Sequence, residues 1–369
     1  MFDLAIVGAG ILGLAHALAA ARRGLRVVVI DRDAQANGAS IRNFGFVVVT
    51  GQTPGEDRAR ALRSRDVWLE MAAAADIPVL HRGLIVAARR PEAMAVLEAF
   101  ATGAEGEGCR LMTHADLLTA QPELDGPALA GGLMSPHELR VDSRLALPRL
   151  TEHLRHAHGV EFRFNTAVTA IAPPVVETSA GPVRARRVVI CPGDDLTGLC
   201  ADRIAAHGVT RCKLQMLRLA DPGFRLQAGV ITDLSLLRYG GFAGLPQAAA
   251  LRARLEAEQP QMLANGIHMI AVQDADGALV VGDSHHYGAT PDPFGSDAVD
   301  AMILEEFAAV FGPCATRITA RWTGTYSSAR VSAFRDAPGP DVRLVMVTSG
   351  TGASTGFAIS EETVADLFG

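Results

Sequence analysis

At 369 residues the chain is too long for one average domain and suits two intertwined ones. Its 49% hydrophobic and 20% charged residues describe a well-filled core, while a net charge of −6 without a dense Lys/Arg tract argues against a nucleic-acid partner. No apolar run approaches the ~18 residues of a membrane span.

The five cysteines (Cys109, Cys191, Cys200, Cys212, Cys314) are scattered and never form a C-x-x-C pair, so they read as reduced thiols and not as a disulfide framework or a zinc site. The first strand follows the N-terminus directly, leaving no room for a signal peptide. The expectation is a soluble, cytoplasmic protein with no membrane partner and no metal.

In chain order, Asp3-Leu-Ala-Ile-Val7 predicts a strand, Gly8-Ala-Gly10-Ile11-Leu12-Gly13 a glycine turn, and the following Ala/Leu-rich run a helix. Val27–Ile30 predicts a second strand, ending in Asp31, 23 residues after Gly8. Each part suits a dinucleotide. Gly8 allows a tight turn, Gly10 lets the backbone approach a pyrophosphate, and Gly13 lets the helix lie close to the strand. The helix N-terminus offers unpaired N–H groups and partial positive charge to phosphates. Asp31 is placed to accept hydrogen bonds from a ribose 2′-OH.

Residues 32–55 are irregular. Helices are predicted over 56–75, 91–107 and 142–158, the last capped by Asp142 or Ser143. Strands are predicted at 83–88, 161–164, 167–171 and 183, then 187–190 leading into Cys191-Pro192-Gly193. Beyond Val209 the pattern turns β-rich at 213–219, 267–273 and 279–282, as in an antiparallel sheet, with helices over 247–263 and 296–311. Strands at 315–323 and 342–348 lead to a second glycine cluster, Gly350-Thr-Gly352-Ala353-Ser354-Thr355-Gly356, and a closing helix. The chain thus leaves the dinucleotide-binding part and returns to it at its end, which suits a long, deeply buried flavin better than a nicotinamide.

The Gly8/Gly10/Gly13 fingerprint with Asp31, the Gly38-Ala39-Ser40 turn, Cys191-Pro192-Gly193 and the Gly350–Gly356 cluster resemble the D-amino-acid-oxidase-like flavoproteins, a group that includes glycine oxidase and sarcosine oxidase. The resemblance covers essentially the whole chain. Four stretches, Gly38–Gly45, Ser135–Val141, Thr210–Leu217 and Gly282–Gly288, resemble a bacterial subgroup associated with aminophosphonate breakdown.

The resemblance implies an α/β fold: an FAD-binding Rossmann-like domain of the glutathione-reductase type (1–80, 140–208 and 315–369) with an interleaved antiparallel-sheet substrate domain (81–139 and 209–314). It implies FAD, bound non-covalently because Cys314 does not match the covalent flavin cysteine of some sarcosine oxidases. Gly8 to Gly13 would hold the diphosphate, Asp31 the adenosine ribose, Arg32 the adenine edge, and Val168 the adenine through its backbone. Ser40, Asn43, Phe44 and Gly45 would line the pyrophosphate–flavin side, and Pro192-Gly193 the ribityl region. Residues from Gly352 would offer N–H groups to the flavin pyrimidine edge.

The implied reaction is oxidation of a small anionic amine at its C–N bond, giving an aldehyde plus amine or ammonia, with molecular oxygen or another acceptor taking the electrons. The aminophosphonate subgroup points to a relative of 2-aminoethylphosphonate, and the wider group to glycine or sarcosine. Such chemistry asks for cations that hold the substrate anion. Arg42, in a loop that must pass the flavin, faces either that anion or an FAD phosphate. His137, Lys213, Gln215, His285 and Tyr326 are the other candidates for the substrate site. Lys213 and Gln215 share one face of an alternating strand expected to face the flavin, and His285 is preferred to His286. Arg238-Tyr239 reads as a lid or an ordinary loop.

Overall fold

A computed structural model describes residues 1–312 and 317–369. The strand Phe2–Val7 lies between Val27–Ile30 and Val183–Ile190, and all three run parallel. Glu161–Arg163 extends the sheet on one side and Val342–Ser349 on the other, both parallel to their neighbours. Val27–Ile30 is a pure Val/Ile run buried throughout, as a strand covered on both faces must be.

One face of this sheet is covered by the helices Ile11–Ala21, Glu56–Ala74, Ser143–His158 and Gly352–Phe368, which share a core including Leu14, Trp68, Leu150 and Phe357. The other face carries a small antiparallel ribbon, Val168–Ala172 with Val175–Thr178.

A second, mixed layer begins at Thr210–Leu219, which pairs antiparallel with Leu279–Gly282 and with Ile318–Gly339. Pairing continues through Ile270–Gln273, Gly229–Thr232, Val79–Ala88 and Gly131–Val141. Its core gathers Leu84–Ala88, Phe242, Val280 and Phe307 with the helices Pro91–Thr102, Ala248–Glu258 and Asp297–Phe311. The strand Ile318–Gly339 belongs to both layers. Its first half pairs with Thr210–Leu219, and its second half turns onto Val342–Ser349.

Several predicted boundaries shift for identifiable reasons. The helix expected over 91–107 ends at Thr102, before Gly103, and one 3-10 turn follows. That over 247–263 is split at Gln259, because Pro260 opens a new helix, Pro260–Ala264. The strand read as 315–323 is described from Ile318 and runs on to Gly339; its first residues and Cys314 lie outside the described residues. Among the described residues no helix is long and apolar enough to cross a membrane.

The glycine turn is set by close backbone approach. A Cβ on Gly13 would lie 1.9 Å from the carbonyl oxygen of Gly8, so the first helix can lie on its strand only without one. Gly8 itself has φ +103°, with the carbonyl oxygen of Cys191 2.4 Å from where its Cβ would be. Gly356, in the last helix, is different: its Cβ would meet Leu12 at an ordinary 3.7 Å. Helix propensity favours Ala over Gly by about 1 kcal/mol at both helical positions. Gly356→Ala should therefore raise the urea midpoint, whereas Gly13→Ala should lower stability by about 2 kcal/mol or more, the collision outweighing propensity.

Candidate functional site

A cavity of about 1390 Å³, counting its open mouth, runs along the junction of the two layers. One end is lined by Gly10 to Gly13 at the start of the first helix and by Ser40, Asn43 and Phe44. The Ser40 hydroxyl accepts the Ile11 N–H at 3.0 Å, and a Cβ on Gly10 would meet that hydroxyl at 2.9 Å. Gly193 and Gly350 to Ser354 line the same cavity, so the last helix, beginning at Gly352, also opens towards it. Two helix N-termini thus present N–H groups and partial positive charge to one space.

The last helix is fixed there from several directions. The Trp68 indole N–H donates to the Ala353 carbonyl at 2.8 Å, and the Ser354 hydroxyl accepts the Val48 N–H at 2.9 Å. Asn43 locks its loop by donating to the Ala39 carbonyl and accepting the Gly45 N–H, each at 2.6 Å.

At the other end the cavity is lined by Arg238, Tyr239, His268, Asp283, His285 and Tyr326. The Arg238 guanidinium donates to the hydroxyls of Tyr287 and Tyr326, at 3.2 and 3.1 Å. Burial works against its charge, but Tyr326, Tyr287 and Asp283 outweigh burial and hold its pKa above the ordinary arginine value. His268, Asp283 and His285 are 4%, 4% and 6% exposed. The Asp283 Oδ1 faces His268 Nδ1 at 3.7 Å, and its Oδ2 faces His285 Nε2 at 3.6 Å. Burial, helped by Arg238, drives both histidines well below their usual pKa, so they are neutral. Burial pushes the Asp283 carboxyl up to about 7, with Arg238 pulling the other way.

The family described as DAO, FAD dependent oxidoreductase, matches residues 3–366. The chain belongs to this family. It is 28% identical over 239 residues to the bifunctional protein ThiO/ThiG of Nostoc sp., covering 60% of this chain and 34% of that protein. It is 28% identical over 209 residues to glycine oxidase of Geobacillus kaustophilus, covering 52% of this chain and 54% of that protein. These matches span about a third to a half of the curated relatives' length.

The crystal structure of the Geobacillus enzyme superposes with a TM-score of 0.78 at 21% identity, covering 99% of this chain and 94% of that one. An FAD-bound α-glycerophosphate oxidase of Mycoplasma pneumoniae superposes with a TM-score of 0.76 at 16% identity, over 99% and 94% of the two chains. Both likenesses show the α/β fold. The family's cofactor is FAD. The glycine-lined groove between two helix N-termini fits its diphosphate and ring, and FAD bound there supplies an acceptor for the hydrogen and two electrons of an oxidised C–H bond.

Arg42, His285 and Tyr326 line the cavity, as do Gly10, Ile11, Leu12, Gly13, Ser40, Asn43, Phe44, Gly193, Gly350, Gly352, Ala353 and Ser354. Arg42 donates to Asn37 at 3.2 Å. Gly8, Gly45, Pro192, Thr355 and Gly356 do not line the cavity. Asp31 does not line it either; its carboxylate accepts the N–H groups of Ala9 and Asp33, at 2.6 and 2.9 Å. Arg32 pairs with Asp195 at 2.9 Å, and Val168 sits in the small ribbon.

Three substrate-site candidates do not line this cavity. Register places Leu214, not its neighbours, towards the cavity, so Lys213 and Gln215 point to the opposite face of their strand. There Lys213 pairs with Asp292 at 3.2 Å and Gln215 donates to the Ser296 carbonyl at 2.8 Å. His137 faces away as well, with its Nε2 2.7 Å from the Glu107 carbonyl oxygen.

His268 and Asp283 went unread. They stand at adjoining ends of two buried strands, Ile270–Gln273 and Leu279–Gly282, where a polar residue at the end of each Val/Ile run was the available signal. Arg238 follows the short helix Asp233–Leu236, whose local sequence carries no periodic cue.

The raised Asp283 pKa sets a sign. The folded protein holds a proton that the unfolded chain releases near pH 3.8, so this stabilisation is complete below that pH and is lost as pH rises through about 7. Urea midpoints of the wild type should fall relative to those of Asp283→Asn across that interval. A constant difference between the two would show that Asp283 is already ionised.

Proposed function

We propose that this chain uses FAD to oxidise a small amine at its C–N bond, and that the amine carries a phosphonate, as in 2-aminoethylphosphonate and its N-methyl or 1-hydroxy derivatives. The observation that carries this reading is that a half-buried arginine and a buried carboxylate line the same end of the cavity. Arg238, steadied by two tyrosine hydroxyls, suits the anionic end of a substrate. Asp283 suits its nitrogen. Arg42 lines the same cavity and gives a second cation, which a doubly charged phosphonate can use and a carboxylate needs less. The subgroup resemblance of the Gly38–Gly45 and Gly282–Gly288 stretches supports the phosphonate, since they carry Arg42 and Asp283.

In this reading the chain's residues fix the substrate by its two ends and set its C–H bond against the flavin face. The imine that results hydrolyses to an aldehyde, phosphonoacetaldehyde or a near relative, and an amine or ammonia. Molecular oxygen takes up the electrons. The diphosphate belongs to Gly8–Gly13, the adenosine ribose to Asp31, and the ring to Gly350–Gly356. Segments 1–80, 140–208 and 315–369 form the cofactor unit, and 81–139 with 209–314 the substrate unit.

A second reading keeps the chemistry and changes the substrate to glycine or sarcosine; the sequence match to a glycine oxidase favours it. Absorbance of the bound flavin, followed anaerobically while amines are added, separates the two. Bleaching is expected with 2-aminoethylphosphonate or its N-methyl or 1-hydroxy derivative. Bleaching by glycine or sarcosine alone would move the substrate to the second reading. A flavin that none of them bleaches would refute the amine-oxidation reading.

Arg238→Met should raise KM for the anionic amine by about 10-fold or more, since a charged hydrogen bond contributes roughly 1.5–3 kcal/mol, and should leave the flavin bound. Unchanged KM would remove Arg238 from the substrate site.

A further inference from the structure

We propose that Asp283, held between His268 and His285, is the base that takes one proton from the substrate's ammonium group before its C–N bond is oxidised. The inference rests on the amine-oxidation reading above and gives that site a residue for proton transfer.

The geometry provides a partner for each protonation state of Asp283. The backbones of His268 and Asp283 exchange two hydrogen bonds, at 2.9 and 2.8 Å, which brings the two side chains together. The His285 Nδ1 lies 2.8 Å from the Gly266 carbonyl oxygen. A carbonyl oxygen only accepts, so Nδ1 carries the proton, and Nε2 of the neutral ring presents a lone pair. That lone pair faces Asp283 Oδ2 at 3.6 Å. Two acceptors in a buried place are reconciled by a proton between them, and the carboxylic acid form of Asp283 supplies it. On the other side His268 Nδ1, at 3.7 Å from Oδ1, can donate, which suits the carboxylate. Both contacts are longer than a hydrogen bond, as catalytic contacts are before substrate enters. Asp283 Oδ1 and His268 Nε2 are buried without a hydrogen-bond partner, and both residues line the cavity.

The surrounding charges favour the transfer. Besides the two histidines, Arg238, Tyr239, Cys212 and Tyr326 stand around this carboxyl. An ammonium group entering beside Arg238 meets a like charge. Moving one proton from nitrogen to Asp283 neutralises both the ammonium and the carboxylate, and leaves Arg238 free for the substrate's anion. One N–H bond breaks, one O–H bond forms, and the electron pair stays on nitrogen. The freed pair is what a C=N bond requires when hydride leaves the neighbouring carbon. A carboxyl poised near 7 is matched to this task at neutral pH.

The same three side chains bring ligand atoms within 4.8 Å of one another, but they do not fit a shared divalent cation. Their contacts run to different carboxylate oxygens, and Arg238 opposes added positive charge.

Infrared difference spectroscopy on the FAD-loaded protein tests the assignment without turnover. The probe is (2-amino-2-methylpropyl)phosphonate, which carries both charges but no hydrogen on the carbon bearing nitrogen. Added above pH ~7, where Asp283 is ionised, it should produce the C=O stretch of a protonated carboxylic acid. That band should be absent with ethylphosphonate, which has no nitrogen, and absent in Asp283→Asn. A bound probe that perturbs the flavin spectrum without raising the band overturns the proposal, as does a band that survives in Asp283→Asn. The wild-type spectrum is decisive even if the variant does not fold.

With an amine that bleaches the flavin, Asp283→Asn should slow anaerobic reduction by about 100-fold or more and remove the fall in rate below pH ~7. An unchanged acid limb sinks this inference alone. Failure of every amine to bleach the flavin sinks the function on which it rests.

Discussion

The structure depends on one strand being shared. Ile318–Gly339 gives its first half to the mixed second layer and its second half to the parallel sheet that carries the glycine turn. Gly324, Thr325, Tyr326 and Ser327, near the changeover, line the cavity. A backbone ladder, not a hinge of loose chain, therefore sets the distance between the glycine-lined end of the cavity and the end that holds Arg238 and Asp283. Gly324 lies against Arg42, whose backbone carbonyl also accepts the Trp322 indole N–H at 3.3 Å, so the loop from the first layer is pinned to the same strand.

The buried charges at the far end are intelligible in these terms. Arg238 and Asp283 come from separate connections of the second layer, and neither could sit so deep alone. Burial acts against both, and each eases the position of the other. The tyrosines answer a different need. Tyr326 is 9% exposed and its hydroxyl is driven up by burial, so it stays protonated and serves Arg238 as a neutral acceptor.

What could be read from the sequence was local. The strand, glycine turn, helix and second strand of residues 2–31 are periodic, contiguous and chemically marked, and they fold as written. The closing Gly350–Gly356 cluster was equally legible. Lys213 and Gln215 show the limit. Alternation tells that a strand has two faces, while Tyr326, more than a hundred residues away, settles which face meets the cavity through its pairing with Cys212. The second half of Ile318–Gly339 is largely half-exposed and lacks clean alternation, so its continuation was invisible. His268 and Asp283 meet through the pairing of two strand ends, a relation that no single window of residues contains.

The last helix adds a matter of timing. Gly352–Phe368 is wedged between the first helix and Glu56–Ala74, and it is held there by Ser64, by the ion pairs Arg60–Glu362 and Arg63–Glu361, and by the Ser360–His16 contact. During synthesis the glycine turn is made before its opposing wall, by roughly tens of seconds at ordinary rates. Through that interval the nascent chain carries half a cofactor groove with an uncovered apolar floor of Leu14, Leu18 and Trp68. A groove with both walls thus waits until Gly352–Phe368 has been made.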